Sequence, residues 1–172
     1  MRVSPIAYLF DDIETVEKEA KKQAIPTHNE EEAIKGAMCL AGTIFLARKK
    51  KSKKEIFKYV TEKYGYNLEY NLEELQRKNK FNGTSKVTVP QAIYVFLLSN
   101  GFEDSIRKAI SIGGDTDTIA CMVGGISEGY YGIPKILRNK ALELLPEELR
   151  RVLINAYKFK KEQSKIEELE RE

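Results

Sequence analysis

The sequence predicts an all-α fold of about seven to nine helices, and three observations support this. Apolar residues recur with helical spacing along most of the 172 residues, and no segment has the alternation of a strand. Capping residues, prolines and glycines divide the chain at short intervals. Small residues are concentrated in segment 119–132, where they would allow close helix crossing. We therefore expect one domain over residues 1–172, with the helix after Asp115 at its centre.

Two helices are predicted in the first part of the chain. Ser4-Pro5 indicates an N-cap followed by proline at the first helical position, and we expect that helix to reach about Ala24. Thr27 and Glu30 have the spacing of a capping box. The spacing predicts a second helix that includes His28 in its first turn and ends near Ala47.

The basic run 48–54 allows two interpretations, a nucleic-acid surface or a turn between helices. It lies at a predicted helix C-terminus, where cations are favoured. A second capping box, formed by Ser52 and Glu55, follows at once and begins a helix that should stop at Gly65. The net charge of +3 is modest for a nucleic-acid-binding protein. We favour a solvated turn and expect no nucleic-acid partner.

Further helices are predicted along the rest of the chain. The sequence predicts a short helix over 71–78, a polar loop over 81–89, a buried helix over 91–98 and a helix over 102–112. Pro134 and Pro146 each begin another helix, and the second becomes fully charged after Lys160. For residues 160–172 we expect either a solvated helix or a frayed tail, without a function.

Several protein classes are excluded by the composition. No apolar run approaches the ~18 residues that a membrane-spanning helix requires. The N-terminus has no signal-peptide pattern. Cys39 and Cys121 lie in apolar helical segments, which favours buried free thiols over a disulfide. These features predict a cytoplasmic protein without a membrane partner.

Segment 113–118, Gly-Gly-Asp-Thr-Asp-Thr, is the strongest candidate for a functional site. Asp115 would lie at the N-cap of the following helix, with Asp117 and Thr118 in its first turn. Capping does not require a second carboxylate, and Gly113 and Gly114 would let a ligand approach the backbone. Carboxylate and hydroxyl oxygens suit Mg²⁺, Mn²⁺ or Ca²⁺. A metal site and an ordinary helix cap both remain open from these residues alone.

Residues 109–134 closely resemble the C-terminal signature of the ADP-ribosylglycohydrolase family, which includes the dinitrogenase reductase-activating glycohydrolases. The resemblance extends through 88–93 and Thr27-His28 to residues 1–5, and it covers the chain up to about Leu149. It implies a compact orthogonal helix bundle. It also implies hydrolysis of the bond between the anomeric ribose carbon of ADP-ribose and an acceptor side chain, such as arginine or serine, on an ADP-ribosylated protein.

The resemblance assigns roles to individual residues. Asp115, Asp117 and Thr118 match the family's C-terminal metal ligands for two Mg²⁺ ions, with Mn²⁺ as the possible substitute, and Asp117 takes the bridging position. Asp115 and Asp117 are also the catalytic carboxylates. His28, Gly113 and Gly114 are expected to bind substrate; for His28, a role confined to the first turn of its helix is the alternative.

One departure from the family pattern matters for activity. Members carry a further N-terminal part with a Gly-Asp helix, a catalytic acid and a Thr-Asp-Asp run, which have no match in these residues. Asp11 and Asp12 fall within the first predicted helix, so we expect surface carboxylates there. Three hypotheses follow: a hydrolase completed by a companion chain, a non-catalytic module that binds ADP-ribose and Mg²⁺, and a degenerate helical scaffold.

Overall fold

The computed structural model describes the backbone of residues 1–169 and the side chains of residues 1–159. Within that range it contains ten α-helices and one π-helical turn, and no strand, so the predicted all-α fold is confirmed. The chain divides into two units, Met1–Gly132 and Ile133–Glu172. None of the helices in the described range is long and apolar enough to cross a membrane. A single domain over residues 1–172 stays a prediction.

The first unit contains eight α-helices and the π-helical turn. They are α1 (Ile6–Leu9), α2 (Ile13–Ala24), α3 (Glu31–Arg48), α4 (Lys53–Lys58), the π-helical turn (Tyr59–Lys63), α5 (Leu72–Lys78), α6 (Ser85–Leu98), α7 (Phe102–Ser111) and α8 (Thr116–Tyr131). The second unit contains α9 (Lys135–Leu144) and α10 (Glu147–Leu169). Among the described side chains of the second unit none is buried, and large apolar ones such as Ile136 and Leu144 are exposed.

Helix α8 lies at the centre of the first unit, as predicted, and packs against α3, α6 and α7. Its small residues permit the closest of these approaches. A Cβ atom on Gly129 would lie 3.0 Å from the backbone nitrogen of Arg48 and 3.2 Å from the carbonyl oxygen of Ile44. Backbone atoms cannot move aside as a flexible side chain can, so glycine is required where α8 meets α3.

The predicted first helix is two helices, because the chain breaks at 10–12. Asp12 is the N-cap of α2, and its carboxylate accepts a hydrogen bond from the backbone N–H of Thr15 at 2.7 Å. That bond lowers the pKa of Asp12. Asp11 pairs instead with Arg48 at 2.6 Å and with Lys49 at 3.3 Å. Both aspartates are exposed, as expected, but their place inside one helix was wrong because Asp12 caps a new one.

The predicted capping box at Thr27 does not form. Helix α3 begins at Glu31, and its N-cap Glu30 makes no capping hydrogen bond with its side chain. The backbone N–H groups of Thr27 and His28 both donate to the carbonyl of Ala24, at 3.1 and 2.8 Å. Thr27 and His28 therefore close the end of α2, and His28 lies in the turn before α3 rather than in its first turn.

The predicted polar loop over 81–89 is also shorter than expected, because α6 begins at Ser85 and continues through Pro90. Proline removes one backbone hydrogen bond from a helix. Thr88 and Val89, which precede the proline, are 2% and 3% exposed. Burial along this segment outweighs the lost bond, and the sequence pattern did not reveal that burial.

The two cysteines are free thiols, as predicted. Cys39 is buried, and burial raises the pKa of its thiol to about 12. Cys121 is exposed, so the prediction that both are buried was wrong for this residue. Its neighbour Met122 faces the core, and Cys121 occupies the outer side of α8.

Side chains of the basic run 48–54 bind backbone carbonyls at the C-terminal ends of other helices. Three of its cations donate hydrogen bonds to backbone carbonyls at the ends of α1, α8 and α6. Arg48 binds the carbonyls of Tyr8 and Phe10, Lys50 those of Gly129 and Tyr130, and Lys53 those of Leu97 and Ser99. These carbonyls have no partner within their own helix, and cations are favoured beside them. The run is thus a turn between helices, but three of its cations also bind the backbone at the ends of other helices.

The second predicted capping box is confirmed. The Ser52 hydroxyl accepts from the backbone N–H of Glu55, and the Glu55 carboxylate accepts from the backbone N–H of Ser52 at 2.8 Å. The Ser52 hydroxyl also donates to the Glu55 carboxylate at 2.8 Å, and this bond, followed by that from the Ser52 backbone N–H, lowers the pKa of Glu55 to about 2. The box fixes the start of α4 and thereby the position of Lys53.

We expect Lys53→Met to lower the free energy of unfolding by about 1–2 kcal/mol, because the carbonyls of Leu97 and Ser99 lose a charged donor. Urea denaturation followed by circular dichroism measures the change. Lys54→Met is the matched control, since Lys54 is exposed and the described residues offer it no hydrogen-bond acceptor. Equal stability of the two variants would contradict the role given to Lys53.

Candidate functional site

A cleft of about 650 Å³ lies in the first unit, where the N-terminal halves of α3, α6 and α8 meet. The lining residues come from these three helices, from the N-terminal segment, from the C-terminal end of α2 (Gln23 and Ala24) and from the turns before α3, α6 and α8. They include Arg2, His28, Glu30, Glu32, Ala33, Gly36, Ala37, Leu40, Gly83, Thr84, Lys86, Val89, Asp115, Thr118 and Met122. Helix N-termini carry partial positive charge and free N–H groups, so their convergence favours an anionic ligand.

Burial divides the lining into an apolar base and a polar mouth. Leu40, Val89 and Met122 are buried, whereas His28 and Lys86 are exposed. Ligand sites commonly combine an apolar wall with a few polar groups that fix orientation. The cleft has this composition.

The turn before α8 is held by a pair of side-chain amides. Gly113 and Gly114 have φ angles of +69° and +75°, the left-handed conformation that glycine adopts without strain. The side-chain amide of Gln91, which is 4% exposed, donates to the side-chain Oδ1 of Asn79 at 3.1 Å. The side-chain Nδ2 of Asn79 lies 3.4 Å from the backbone carbonyl oxygen of Gly113. A Cβ atom on Gly114 would lie 2.7 Å from that same amide nitrogen. This anchoring fixes the position of Asp115 relative to α6.

Asp115 occupies the predicted N-cap position of α8, but its side chain makes no capping hydrogen bond. The carboxylate instead lines the cleft, and its Oδ2 is 3.3 Å from the position that a Cβ atom on Gly83 would take. A simple helix cap therefore does not account for Asp115.

Asp117 and Thr118 lie in the first turn of α8, as predicted. The Asp117 Oδ1 accepts from the backbone N–H of Thr118 at 2.8 Å. This bond is the main cause of the lowered pKa of Asp117, and the Asp115 side chain lies close to the same carboxylate. Thr118 lines the cleft with Asp115, whereas Asp117 is exposed and lies outside the lining. Within the described residues no three or more His, Cys, Asp or Glu side chains come close enough to hold a metal ion.

His28 lies at the cleft, although it is not in a helix. Its Nδ1 is 2.8 Å from the Thr27 hydroxyl oxygen, and that oxygen also accepts a hydrogen bond from the Arg2 guanidinium. The Thr27 hydroxyl can accept from Arg2 and still either donate to Nδ1 or accept from an Nδ1–H, so both neutral tautomers fit this contact. An imidazole at the mouth of the cleft is suited to an anionic or hydroxylated ligand.

The structure brings His28, Asp115 and Thr118 together around one cleft and leaves Gly113 and Gly114 in the supporting turn. Sequence reasoning missed Asn79 and Gln91, which hold that turn. It predicted a polar loop that includes Gly83, but nothing in the pattern indicated that Gly83 lies beside Asp115. Contact of Gly113 and Gly114 with a ligand stays a prediction.

The family model of ADP-ribosylglycohydrolase matches residues 1–168 of the chain. An uncharacterized protein of Archaeoglobus fulgidus is 32% identical in an alignment 156 positions long, which covers 78% of this chain and 50% of that protein. ADP-ribosylhydrolase ARH3 of Homo sapiens is 27% identical over 181 residues, covering 79% of this chain and 50% of that protein. The chain thus spans about half the length of the curated relatives it matches.

The fold has a counterpart among solved structures. An ADP-ribosylglycohydrolase-related protein complex contains a chain that superposes with a TM-score of 0.66 at 20% sequence identity, over 90% of this chain and 57% of that chain. At that identity the superposition shows the shared fold alone. Since the family model matches residues 1–168, the chain belongs to the ADP-ribosylglycohydrolase family.

Proposed function

We propose that this chain forms part of a Mg²⁺-dependent ADP-ribosyl hydrolase, which cleaves the bond between ADP-ribose and a protein side chain in the cytoplasm. One observation carries the proposal. The Asp115 carboxylate, unused for capping, stands beside Asp117 at a cleft formed by the N-terminal halves of three helices.

The cleft suits ADP-ribose in charge and in polarity. Its diphosphate is an anion, which the converging helix N-termini, Lys86 and the imidazole of His28 would bind. The apolar base formed by Leu40, Val89 and Met122 would accommodate the adenine ring. With the diphosphate and the adenine ring bound in this way, the ribose would lie toward Asp115.

The donors around Asp115 fit Mg²⁺ in chemistry but not in number. Asp115, Asp117 and Thr118 supply carboxylate and hydroxyl oxygens, and Mn²⁺ would accept the same set. The lowered pKa of Asp117 keeps this carboxylate ionised at neutral pH. Mg²⁺ takes about six oxygens in octahedral geometry, so three side chains supply only part of a shell. When bound, the metal would orient the ribose hydroxyls and a water and neutralise developing charge.

The reaction itself requires one bond to form and one to break. The water oxygen bonds to the anomeric carbon, the bond to the acceptor breaks, and its electron pair leaves with the acceptor atom, which takes a proton. We assign Asp115 and Asp117 to hold the attacking water and receive its proton. Glu30 and Glu32 also line the cleft, and Glu32 is paired with Lys35 at 3.1 Å. We assign these two glutamates no step.

The chain spans about half the length of its relatives. We propose that a polypeptide segment outside these residues, such as one on a companion chain, supplies the remaining metal ligands and the acid. The alternative is a module that binds ADP-ribose and Mg²⁺ without turnover, which the small donor set in the described residues favours. A degenerate scaffold would bind neither ligand.

Asp117→Asn should weaken Mg²⁺ binding at least about tenfold, since even an outer-shell partner is worth ~10–100-fold in metal affinity. The amide can still accept from the backbone of Thr118, so the helix start is kept and only the charge is lost. Calorimetric titration measures the affinity, which should already be weak in the unaltered chain. Asp12→Asn is the control, because it makes the same charge change at another helix start. Tight binding that survives Asp117→Asn would locate the metal elsewhere.

Gly114→Ala should lower both stability and Mg²⁺ affinity, whereas Gly65→Ala should lower stability alone. Both residues have positive φ, +75° and +63°, so alanine costs each about 1–2 kcal/mol. Only at Gly114 would the new Cβ collide with Asn79, because nothing lies within 4 Å at Gly65. Thermal denaturation and titration with Mg²⁺ separate the two effects. Equal Mg²⁺ affinity in both variants would show that the Asn79 anchor does not control the site.

The 172-residue chain by itself should release no ADP-ribose from an arginine- or serine-modified peptide in the presence of Mg²⁺. A misplacement of ~1 Å can cost ~100-fold in rate, and an incomplete site should lose more. Adding a polypeptide that carries the Thr-Asp-Asp segment of a relative should restore release, measured by chromatography of free ADP-ribose.

The other outcomes of that experiment separate the hypotheses. Binding of ADP-ribose without release after the addition would establish the non-catalytic module. If the chain did not bind ADP-ribose at all, only the hypothesis of a degenerate helical scaffold would remain. Release by the chain alone at a rate typical of an enzyme would show that its own residues complete the site.

A further inference from the structure

Phe81 is an exposed aromatic residue on a loop that is anchored on both sides. Its side chain is 78% exposed, which is a large apolar exposure in the first unit. On one side Asn79 pairs with the buried Gln91. On the other side the Asn82 carbonyl oxygen accepts from the backbone N–H and the hydroxyl of Thr84, at 3.0 and 2.7 Å. Phe81 therefore projects from a fixed piece of backbone.

The ring of Phe81 and the Asp115 carboxylate both lie close to Gly83. The Phe81 Cζ atom is 3.9 Å, and the Asp115 Oδ2 atom 3.3 Å, from the position that a Cβ atom on Gly83 would take. A side chain on Gly83 would fill this gap, so glycine keeps it open. Gly83, Thr84 and Asp115 line the cleft, but Phe81 does not. The ring thus borders the cleft beside Asp115 without forming its wall.

We propose that Phe81 is a specificity-determining residue that contacts the acceptor side chain of the substrate and favours an arginine guanidinium over a serine hydroxyl. The inference rests on the proposed function. If ADP-ribose fills the cleft with its anomeric carbon at Asp115, the acceptor lies beyond that carbon, on the side of Phe81. The residue that borders the site there then contacts the acceptor rather than ADP-ribose.

The chemistry of the ring selects between acceptors. A guanidinium is planar, weakly hydrated and always charged, and it stacks on aromatic faces. Such a contact at an exposed site is worth about 0.5–1 kcal/mol, or roughly two- to fivefold in affinity. A serine hydroxymethyl group is small and uncharged, so it presents no surface that an aromatic ring would stack on.

The test compares three ligands, ADP-ribose, ADP-ribosyl-arginine and ADP-ribosyl-serine, by calorimetry in Mg²⁺, with the recovered ligand checked for cleavage. The unaltered chain should bind the arginine conjugate about two- to fivefold more tightly than ADP-ribose. Phe81→Ala should remove that advantage and leave the affinity for ADP-ribose unchanged. Phe81→Tyr should keep the advantage and Phe81→Leu should lose it, which separates stacking from general apolar contact. Phe57→Ala, at an exposed phenylalanine of α4, is the control.

The possible contrary results contradict different claims. If the unaltered chain fails to bind ADP-ribose, the proposed function falls and this inference with it. If ADP-ribose binds but Phe81→Ala leaves the arginine advantage intact, only the role of Phe81 is wrong. If Phe81→Ala weakens ADP-ribose and the arginine conjugate equally, the ring contacts ADP-ribose rather than the acceptor. Tighter binding of the serine conjugate would reverse the assigned preference.

Discussion

Three helices of the first unit point in the same direction, and their aligned ends impose the main electrostatic constraint on the structure. Gly36 near the start of α3 lies against Ser85 at the start of α6, and Thr118 at the start of α8 shares their cleft. At the far end Gly129 of α8 meets the last turn of α3. Partial positive charge is thereby gathered at the cleft and partial negative charge at the opposite end. The cations of the basic run 48–54 compensate the partial negative charge at the helix C-termini. An anionic ligand in the cleft would compensate the partial positive charge at the helix N-termini.

Local signals in the sequence were sufficient for α8 and its motif. Two glycines, a capping position and a dense stripe of small residues all indicated the same central helix. They were insufficient where a contact between distant residues decided the outcome. Helix α6 begins at Ser85 because Thr88, Val89 and Pro90 are buried against the rest of the unit, despite a proline that favours a break. The first helix ends at Leu9, and Asp12 begins another, where apolar periodicity alone predicted continuity.

The same distinction applies to the candidate site. Asp115, Thr118 and His28 could be named in advance because a family resemblance pointed to each of them. Asn79 and Gln91 could not be named in advance, because two amide side chains that pair across twelve positions leave no recognisable pattern in a single sequence. Phe81 resembled any residue of a polar loop until the fold brought its ring beside Asp115. Pairing partners and neighbours in space are properties of the tertiary structure.

The basic turn also affects how the first unit can open. Lys50 reaches a carbonyl 79 positions later in the chain, and Arg48 reaches one 40 positions earlier. These bonds close long loops, whose entropic cost is recovered only when distant segments are already in place. The turn therefore connects segments that would otherwise fray independently. Displacing it would release the ends of three helices together, so the first unit is built to unfold cooperatively rather than helix by helix.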